Sequence, residues 1–351
     1  MAGFQSFNRG SRLNNLGLTY RLAGLSTPAP TTTQISPSEY RATFTSPGTF
    51  EFLKNSAYNP SKVRTISPIT GSNSADSLEV LVVAGGGGGS FGGGGGAGGG
   101  GGVVNDPTFE LLDFKDGNFT VTVGGAGLGQ STPLPAPDIT LTNSGAPGGD
   151  SEIYLTQDGP LPASGGSWGI KSIGGGGAGT GYGRKPGGSG GGTSFLPSGS
   201  GGAGIQPTVT HGSANATNYG NPGGRGTNPG YSHSGGGGGA GGAGSSGGGP
   251  AGPGGSGYTS SLSGSPYPYS AGAGGGTGGR WTGPGGSWNG GYGAQGSPLA
   301  GRGGGCPPSG PPAAQNDGLA ANGYGAGGGP GGNFIHSGPS TAGKNGYQGI
   351  V

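Results

Sequence analysis

Eight aromatic residues in the second half of the chain stand among Ser, Asn, Gly and Pro: Tyr219, Tyr231, Tyr258, Tyr267, Tyr269, Trp281, Trp288 and Tyr292. Rigid amphipathic rings in a small polar background are the composition of adaptable binding loops, because a ring supplies contact area at low cost in conformational entropy. Carbohydrate or outer-membrane protein surfaces suit such rings. Trp281 and Trp288, with Arg280 beside the first, form the strongest candidate patch. The same rings could equally cover the outside of a bundle that has no other core, and the sequence leaves both readings open.

Catalytic chemistry finds no comparable set. His211, His233 and His336 are far apart in Gly- or Ser-rich surroundings, and Asp317 is the only acid after Asp158. A nucleophile triad or a carboxylate pair is therefore not suggested in this half. Asp113, Asp116, Asp138, Asp150, Glu152 and Asp158 could ligate Ca²⁺, but without an Asp-x-Asp-x-Asp loop they read as a solvated face. Residues 338–345 come within one residue of a phosphate-binding loop and fail at Asn345, where a Ser or Thr would hold Mg²⁺. They lead into Gly346-Tyr347 and not into a helix whose dipole could face a phosphate. Cys306 is the single cysteine, so neither an intrachain disulfide nor a thiolate metal site can form. Arg184-Lys185 is the only basic pair of the second half, too little for the basic stripe of a nucleic-acid binder. The expectation is a non-enzymatic protein without cofactor, metal or nucleic-acid partner.

The elements that must position these rings are dominated by glycine. The chain holds 101 Gly and 30 Pro among 351 residues, and its Leu, Ile, Val and Phe are too few for a conventional core. Long helices are excluded, since each interior Gly costs about 1 kcal/mol relative to Ala. Collagen needs Gly at every third position, and the run 85–89 breaks that register. Solvated disorder normally carries more charge than the 8% found here at a net +2. No apolar run approaches the length of a membrane span, and residues 1–15 lack the apolar core of a signal peptide. A product made in a cytoplasm, not inserted in a membrane, is expected.

Residues 1–38 carry Arg9, Arg12 and Arg21 with no acid and read as an arm or docking segment. From Tyr40 the pattern becomes β, with strands expected over 40–45, 49–53, 77–83, 108–114, 118–123, 139–142, 153–156 and 170–173. The continuous apolar end of 77–83 predicts burial on both faces. Asp116-Gly117 predicts a hairpin between 108–114 and 118–123. A small antiparallel sandwich over 39–173 would result, with poly-Gly inserted at 85–102. After residue 173, Gly tracts alternate with the longer stretches that bear the aromatics.

A tract of this kind can adopt a polyproline-II-like helix of three residues per turn without internal hydrogen bonds. With Gly on the facing sides, neighbouring helices close to backbone contact and their N–H and C=O groups pair between helices. Glycine loses more entropy on ordering than any other residue, so only pairing of nearly all backbone groups could offset the cost. The fold class expected is all-β plus polyglycine-II: an N-terminal arm (1–38), a β domain (39–173) and a glycine-rich bundle with binding loops (174–351).

The run Thr43-Phe44-Thr45-Ser46-Pro47-Gly48-Thr49-Phe50, then Leu81-Val82-Val83-Ala84 entering poly-Gly, resembles the glycine-rich domains of bacteriophage tail-fibre and adhesin proteins. Phe119-Thr120-Val121-Thr122-Val123-Gly124, the step from Ile173 to Gly177 and the closing Gly349-Ile350-Val351 extend the match over most of the chain. The resemblance implies a β framework from which polyglycine-II helices project in layers, with distal loops on the host surface. It implies a virion location, docking to other virion proteins through the N-terminal segment, and homo-oligomers such as trimers. A purely structural role, as a capsid-attached fibre, decoration or connector protein, is the alternative. An ice-binding protein is a remote one, since Tyr and Trp insertions suit a flat face of small residues poorly.

Overall fold

A computed structural model describes residues 20–23, 30–36, 39–54, 77–91, 95–110, 117–131, 144–155, 169–179, 185–194, 200–206, 215–227, 232–248, 251–279, 299–301, 318–331, 333–334 and 342–351. These residues are nearly all extended, with no α-helix among them. The strands are β1 (Tyr20–Ala23), β2 (Thr31–Ser36), β3 (Glu39–Thr43), β4 (Gly48–Lys54), β5 (Ser77–Val83), β6 (Val103–Glu110), β7 (Gly117–Thr122), β8 (Ser151–Leu155), β9 (Gly169–Ser172), β10 (Thr217–Tyr219), β11 (Ser232–His233), β12 (Tyr258–Ser260), β13 (Tyr267–Tyr269), β14 (Thr277–Gly279) and β15 (Asn333–Phe334). They form small sheets, antiparallel except for the β14–β15 pair: β1-β4-β7-β8-β9, β10-β6-β5, β11-β14-β15, β12-β13 and β2-β3.

Alternation along the strands builds the apolar core. Phe119 and Val121 of β7, Ile153 of β8 and Ile170 of β9 meet Val80 and Val82 of β5 and Val104 of β6, with Phe44 beside them. The other face of β5 and β6 presents Leu81, Val83 and Val103 to a second cluster with Ala240, Tyr269 and Ile350. Burial of the apolar end, residues 80–83, on both faces is therefore realised. The chain end closes both clusters. Val83 and Ile350 exchange backbone hydrogen bonds of 2.8 and 2.9 Å, and Val351 N–H donates to the Phe44 carbonyl at 3.1 Å.

Six expected strands recur as β3, β4, β5, β7, β8 and β9, and the strand at 139–142 lies outside the described residues. Residues 111–116, before the turn expected at Asp116-Gly117, lie outside the described residues, and β6 and β7 do not pair with each other. β6 pairs with β5 and β10, whereas β7 pairs with β4 and β8, so the two strands belong to different sheets. The reason is register: β6 starts at Val103, directly out of the Gly run, which sets Val103 and Val104 opposite Val83 and Val82. Pro107 then falls at an irregularity between Leu78 and Val80, where a missing N–H is tolerated. Within the segment expected to be an arm, β1 pairs with β4 and β2 with β3.

Between β5 and β6 the chain leaves the sheet as tract 84–90 and returns as 95–102. Ala84, Gly87 and Ser90 donate N–H bonds to Gly102, Gly99 and Gly96 on the returning tract. Gly85 and Gly88 donate to Gly149 and Ala146, and Gly86 and Gly89 to Tyr347 and Lys344. The carbonyls obey the same rule. Gly85 and Gly88 accept from Gly175 and Ala178, Gly86 and Gly89 from Gly127 and Gln130, and Gly87 and Ser90 from Gly328 and Gly331. Every third residue thus addresses the same neighbour, and six tracts surround this one.

Tract 233–240 repeats the pattern. Ser234, Gly237 and Ala240 donate to Gly276, Ala273 and Ser270, while Gly235 and Gly238 donate to Thr193 and Gly190, and Gly236 and Gly239 to Ser245 and Gly242. At most positions of these tracts only glycine fits. A methyl group on Gly87 would overlap the Gly176 carbonyl, and one on Gly98 the Gly87 carbonyl. The interior of this region is backbone.

Candidate functional site

The aromatic insertion 258–269 folds as a hairpin over the second face of β5 and β6. Tyr258 pairs with Tyr269 and Ser260 with Tyr267, and the turn is shaped by Gly264 at φ +100°. Gly264 N–H donates to the Ser261 carbonyl at 2.8 Å, and Leu262 N–H to Ser260 Oγ at 3.2 Å. Arg41 of β3 reaches across and donates from Nη1 to the Leu262 carbonyl at 2.9 Å. The turn is thereby tied to the N-terminal strands.

Tyr219, Tyr258, Tyr267 and Tyr269 are brought together here. Tyr269 is buried against Leu81, Val83 and Val103, and Tyr219, Tyr258 and Tyr267 pack half-buried around it. The Tyr219 and Tyr258 ring centroids lie 4.2 Å apart with planes tilted by 31°. Tyr267 lies 4.8 Å from Tyr269 and 6.3 Å from Tyr324, and Tyr324 meets Tyr347 edge-on at 5.7 Å. Burial pushes the Tyr258 phenol up to about 12, reinforced by Tyr219. Burial also raises Tyr267 and Tyr269, against opposing hydrogen bonds from the Tyr324 backbone and from Ser263. Their hydroxyls are committed to partners within the protein. These four rings cover the apolar face of β5 and β6.

Tyr324 and Tyr347 complete the cluster although the sequence did not single them out. Each is a lone ring in a glycine-rich run, a signal too weak to separate from background. Tyr231, Trp281, Trp288 and Tyr292 lie outside the described residues, as do Arg9 and Arg12. Arg21 lies in β1 opposite Leu53.

The tyrosine cluster marks the sheet end of the glycine tracts. The opposite end is marked by the Ser90–Gly96 hydrogen bond and by the sheet β11-β14-β15, since Gly331 donates to Ser90 and Asn333 follows it. Thr227 bridges to His233 at this end. Trp281 follows two residues after Gly279, the last residue of β14.

Several polar side chains brace the join between the sheets and the tracts. Lys171 Nζ lies 2.6 Å from Glu152 Oε1 and 3.0 Å from Asp150 Oδ2, where β8 and β9 join the glycine tracts. Burial pulls the ammonium down, but hydrogen bonds and charge from Glu152 and Asp150 outweigh it and hold Lys171 above its usual range. Asp150 Oδ1 also accepts from Gly174 N–H at 2.8 Å. Fully buried Gln206 accepts from Ile173 N–H and donates to the Lys171 carbonyl and Asn218 Oδ1. Asp113, Asp116, Asp138, Asp158, His211 and His336 lie outside the described residues, among which no cluster of His, Cys, Asp or Glu could hold a metal ion. Buried His233 sits in β11, its pKa lowered by desolvation. Lys344 and Asn345 of the near-match to a phosphate loop lie on an extended tract, with the Lys344 carbonyl accepting from Gly89. No helix of the described residues is long and apolar enough to cross a membrane. No protein-family model, curated protein or solved structure matches the chain.

Proposed function

We propose that the chain is a non-enzymatic structural protein of a bacteriophage virion, a tail-fibre or tip-type adhesin that recognises the host cell surface. In this reading the sheets carrying the first apolar cluster form a small β-sandwich, and the tracts are packed polyglycine-II helices. The observation that carries it is the hydrogen-bond period of tract 84–90, in which every third N–H addresses the same neighbour among six. Three residues per turn with no internal hydrogen bonds is the geometry of a polyproline-II-type helix. A seven-residue tract would span about 22 Å at 3.1 Å per residue. Such a lattice is rigid because its backbone groups are mutually satisfied, and it serves to hold the connections between tracts in fixed positions.

The binding surface in this reading belongs to the far end, where the segments bearing Tyr231 and Trp281, Trp288 and Tyr292 depart from described residues. The N-terminal segment with Arg9, Arg12 and Arg21 would dock to other virion proteins, and several copies, such as a trimer, would share the attachment. The ligand would be a surface glycan or an outer-membrane protein. Competition tests this directly: purified full-length protein should block adsorption of the particle that carries it. Replacing residues 281–292 by Gly-Ser sequence should abolish the block while circular dichroism stays unchanged. Undiminished adsorption in the presence of the protein would sink the adhesin reading.

One observation favours the alternative, a capsid-attached fibre, decoration or connector with a purely structural role. Four of the eight candidate rings are spent on covering β5 and β6, so fewer remain to meet a receptor. Particles lacking the protein would then adsorb normally and fail in assembly or stability.

A further inference from the structure

We propose that Tyr219 and Tyr258 form a built-in cross-linking site, at which two equivalents of a one-electron oxidant join the two rings as a dityrosine. Tyr219 ends β10 and Tyr258 opens β12, and no backbone ladder links these strands: β10 pairs with β6, and β12 with β13. Their centroids, 4.2 Å apart, are closer than those of the Tyr267–Tyr269, Tyr267–Tyr324 and Tyr324–Tyr347 pairs, and a 31° tilt leaves the rings overlapping face over face. The two hydroxyls share a hydrogen bond. Both rings are half-buried and packed against the cluster around Leu81, Val83 and Val103.

The chemistry needs nothing else from the protein. Each phenol gives one electron to the oxidant and its hydroxyl proton to water, leaving a phenoxyl radical with spin on the oxygen and the two flanking Cε carbons. One Cε of each ring couples with the other, and the hydrogen displaced from each Cε moves to oxygen to restore the phenol. In sum, two electrons and two protons leave, two ring C–H bonds break and one C–C bond forms. The encounter of two radicals, the slow step in solution, is already accomplished by the fold.

The other rings are less suited. Tyr267 and Tyr269 stand two residues apart on one strand, so a bond between them would constrain nothing, and Tyr324 meets Tyr347 edge-on at 5.7 Å. A Tyr219–Tyr258 bond would close a loop that contains tract 233–240 together with Gly224, Ser245 and Gly255, which hydrogen-bond to it. With a single cysteine the chain has no internal disulfide to do this, and a covalent loop removes entropy from the unfolded chain.

The test uses the full-length protein, oxidised in dilute solution with a photo-excited ruthenium complex and persulfate, then digested for mass spectrometry. The expected result is dityrosine fluorescence in the single-chain fraction and one dominant peptide pair joining Tyr219 to Tyr258. That pair and most of the fluorescence should vanish in Tyr219→Phe and in Tyr258→Phe, which keep the rings, and persist in Tyr324→Phe. Circular dichroism and protease resistance confirm that each variant is folded, and two variants guard against one failing to fold. Absence of dityrosine in the folded wild type, links only between chains, or an unchanged yield in both Phe variants would overturn the proposal.

Discussion

The carbonyl oxygen of Gly98 fills the space in which a side chain on Gly237 would begin, and both glycines lie on tracts enclosed by others. Two segments far apart in sequence are thus packed backbone to backbone. Ordinary cores exclude water with side chains; here dispersion contacts and inter-tract hydrogen bonds between main chains take that role.

The cost of a methyl group should therefore depend on depth. Gly237→Ala should destabilise by about 3 kcal/mol or more in urea unfolding, because its obstacle is backbone that cannot rotate away. Gly125→Ala meets no atom within 4 Å. It should be neutral or stabilising by about 0.5 kcal/mol, through a less flexible unfolded chain. Equal effects at the two positions would contradict a packed glycine interior.

The tyrosine hairpin should behave as core. Tyr269→Ala removes a buried ring from the Leu81, Val83 and Val103 cluster and should cost about 3–5 kcal/mol. Replacing 258–269 by a Gly-Ser linker should expose β5 and β6 to limited proteolysis. A linker variant as resistant as wild type would return these rings to the list of receptor contacts.

Alkaline stability should fall in a defined window. With the Tyr258 phenol at about 12 in the folded protein, the unfolded chain loses this proton first, near its ordinary value of about 10. Below that value both states are protonated and stability is flat. Between the two values the unfolded state is favoured as pH rises. Lys171, also raised, adds stability below its unfolded value that is lost as pH climbs through the folded one. Tyr258→Phe should flatten the slope of unfolding free energy against pH in this window, and an unchanged slope would remove Tyr258 as its source.

Lys171→Ala should leave Glu152, only 9% exposed, without its cation 2.6 Å away. A loss of about 3 kcal/mol at neutral pH is expected, with part regained in the Lys171→Met, Glu152→Gln double variant. Thermal unfolding of the three proteins decides the matter.

Deleting Ile350 and Val351 removes the residues that pair with Val83 and Phe44 and take part in both apolar clusters. The truncated chain should lose about 2–5 kcal/mol, read from its denaturation midpoint. No loss would mean that the two clusters stand without the chain end.

Much of this was legible in the residues. The unbroken apolar end of 77–83 foretold a strand buried on both faces, and the low charge beside so much glycine foretold order. What stayed hidden was set by distant partners. Val103-Val104 is too short a run, and too close to Pro107, to announce a strand; its register comes from β5 across the returning tract. Tyr258, Tyr267 and Tyr269 share the local composition of Trp281 and Trp288, so nothing nearby reveals which rings turn inward. That choice follows from β10 pairing with β6 and from the turn held by Arg41.

Amide hydrogen exchange tests the central claim most directly. A glycine core predicts that the amides of Gly85 to Gly88 and Gly98 to Gly102 exchange as slowly as those of Val82 and Val104, because all of them open only when the whole structure does. Exchange of those glycine amides at unfolded-chain rates, while the valines stay protected, would reduce the tracts to linkers and end the account.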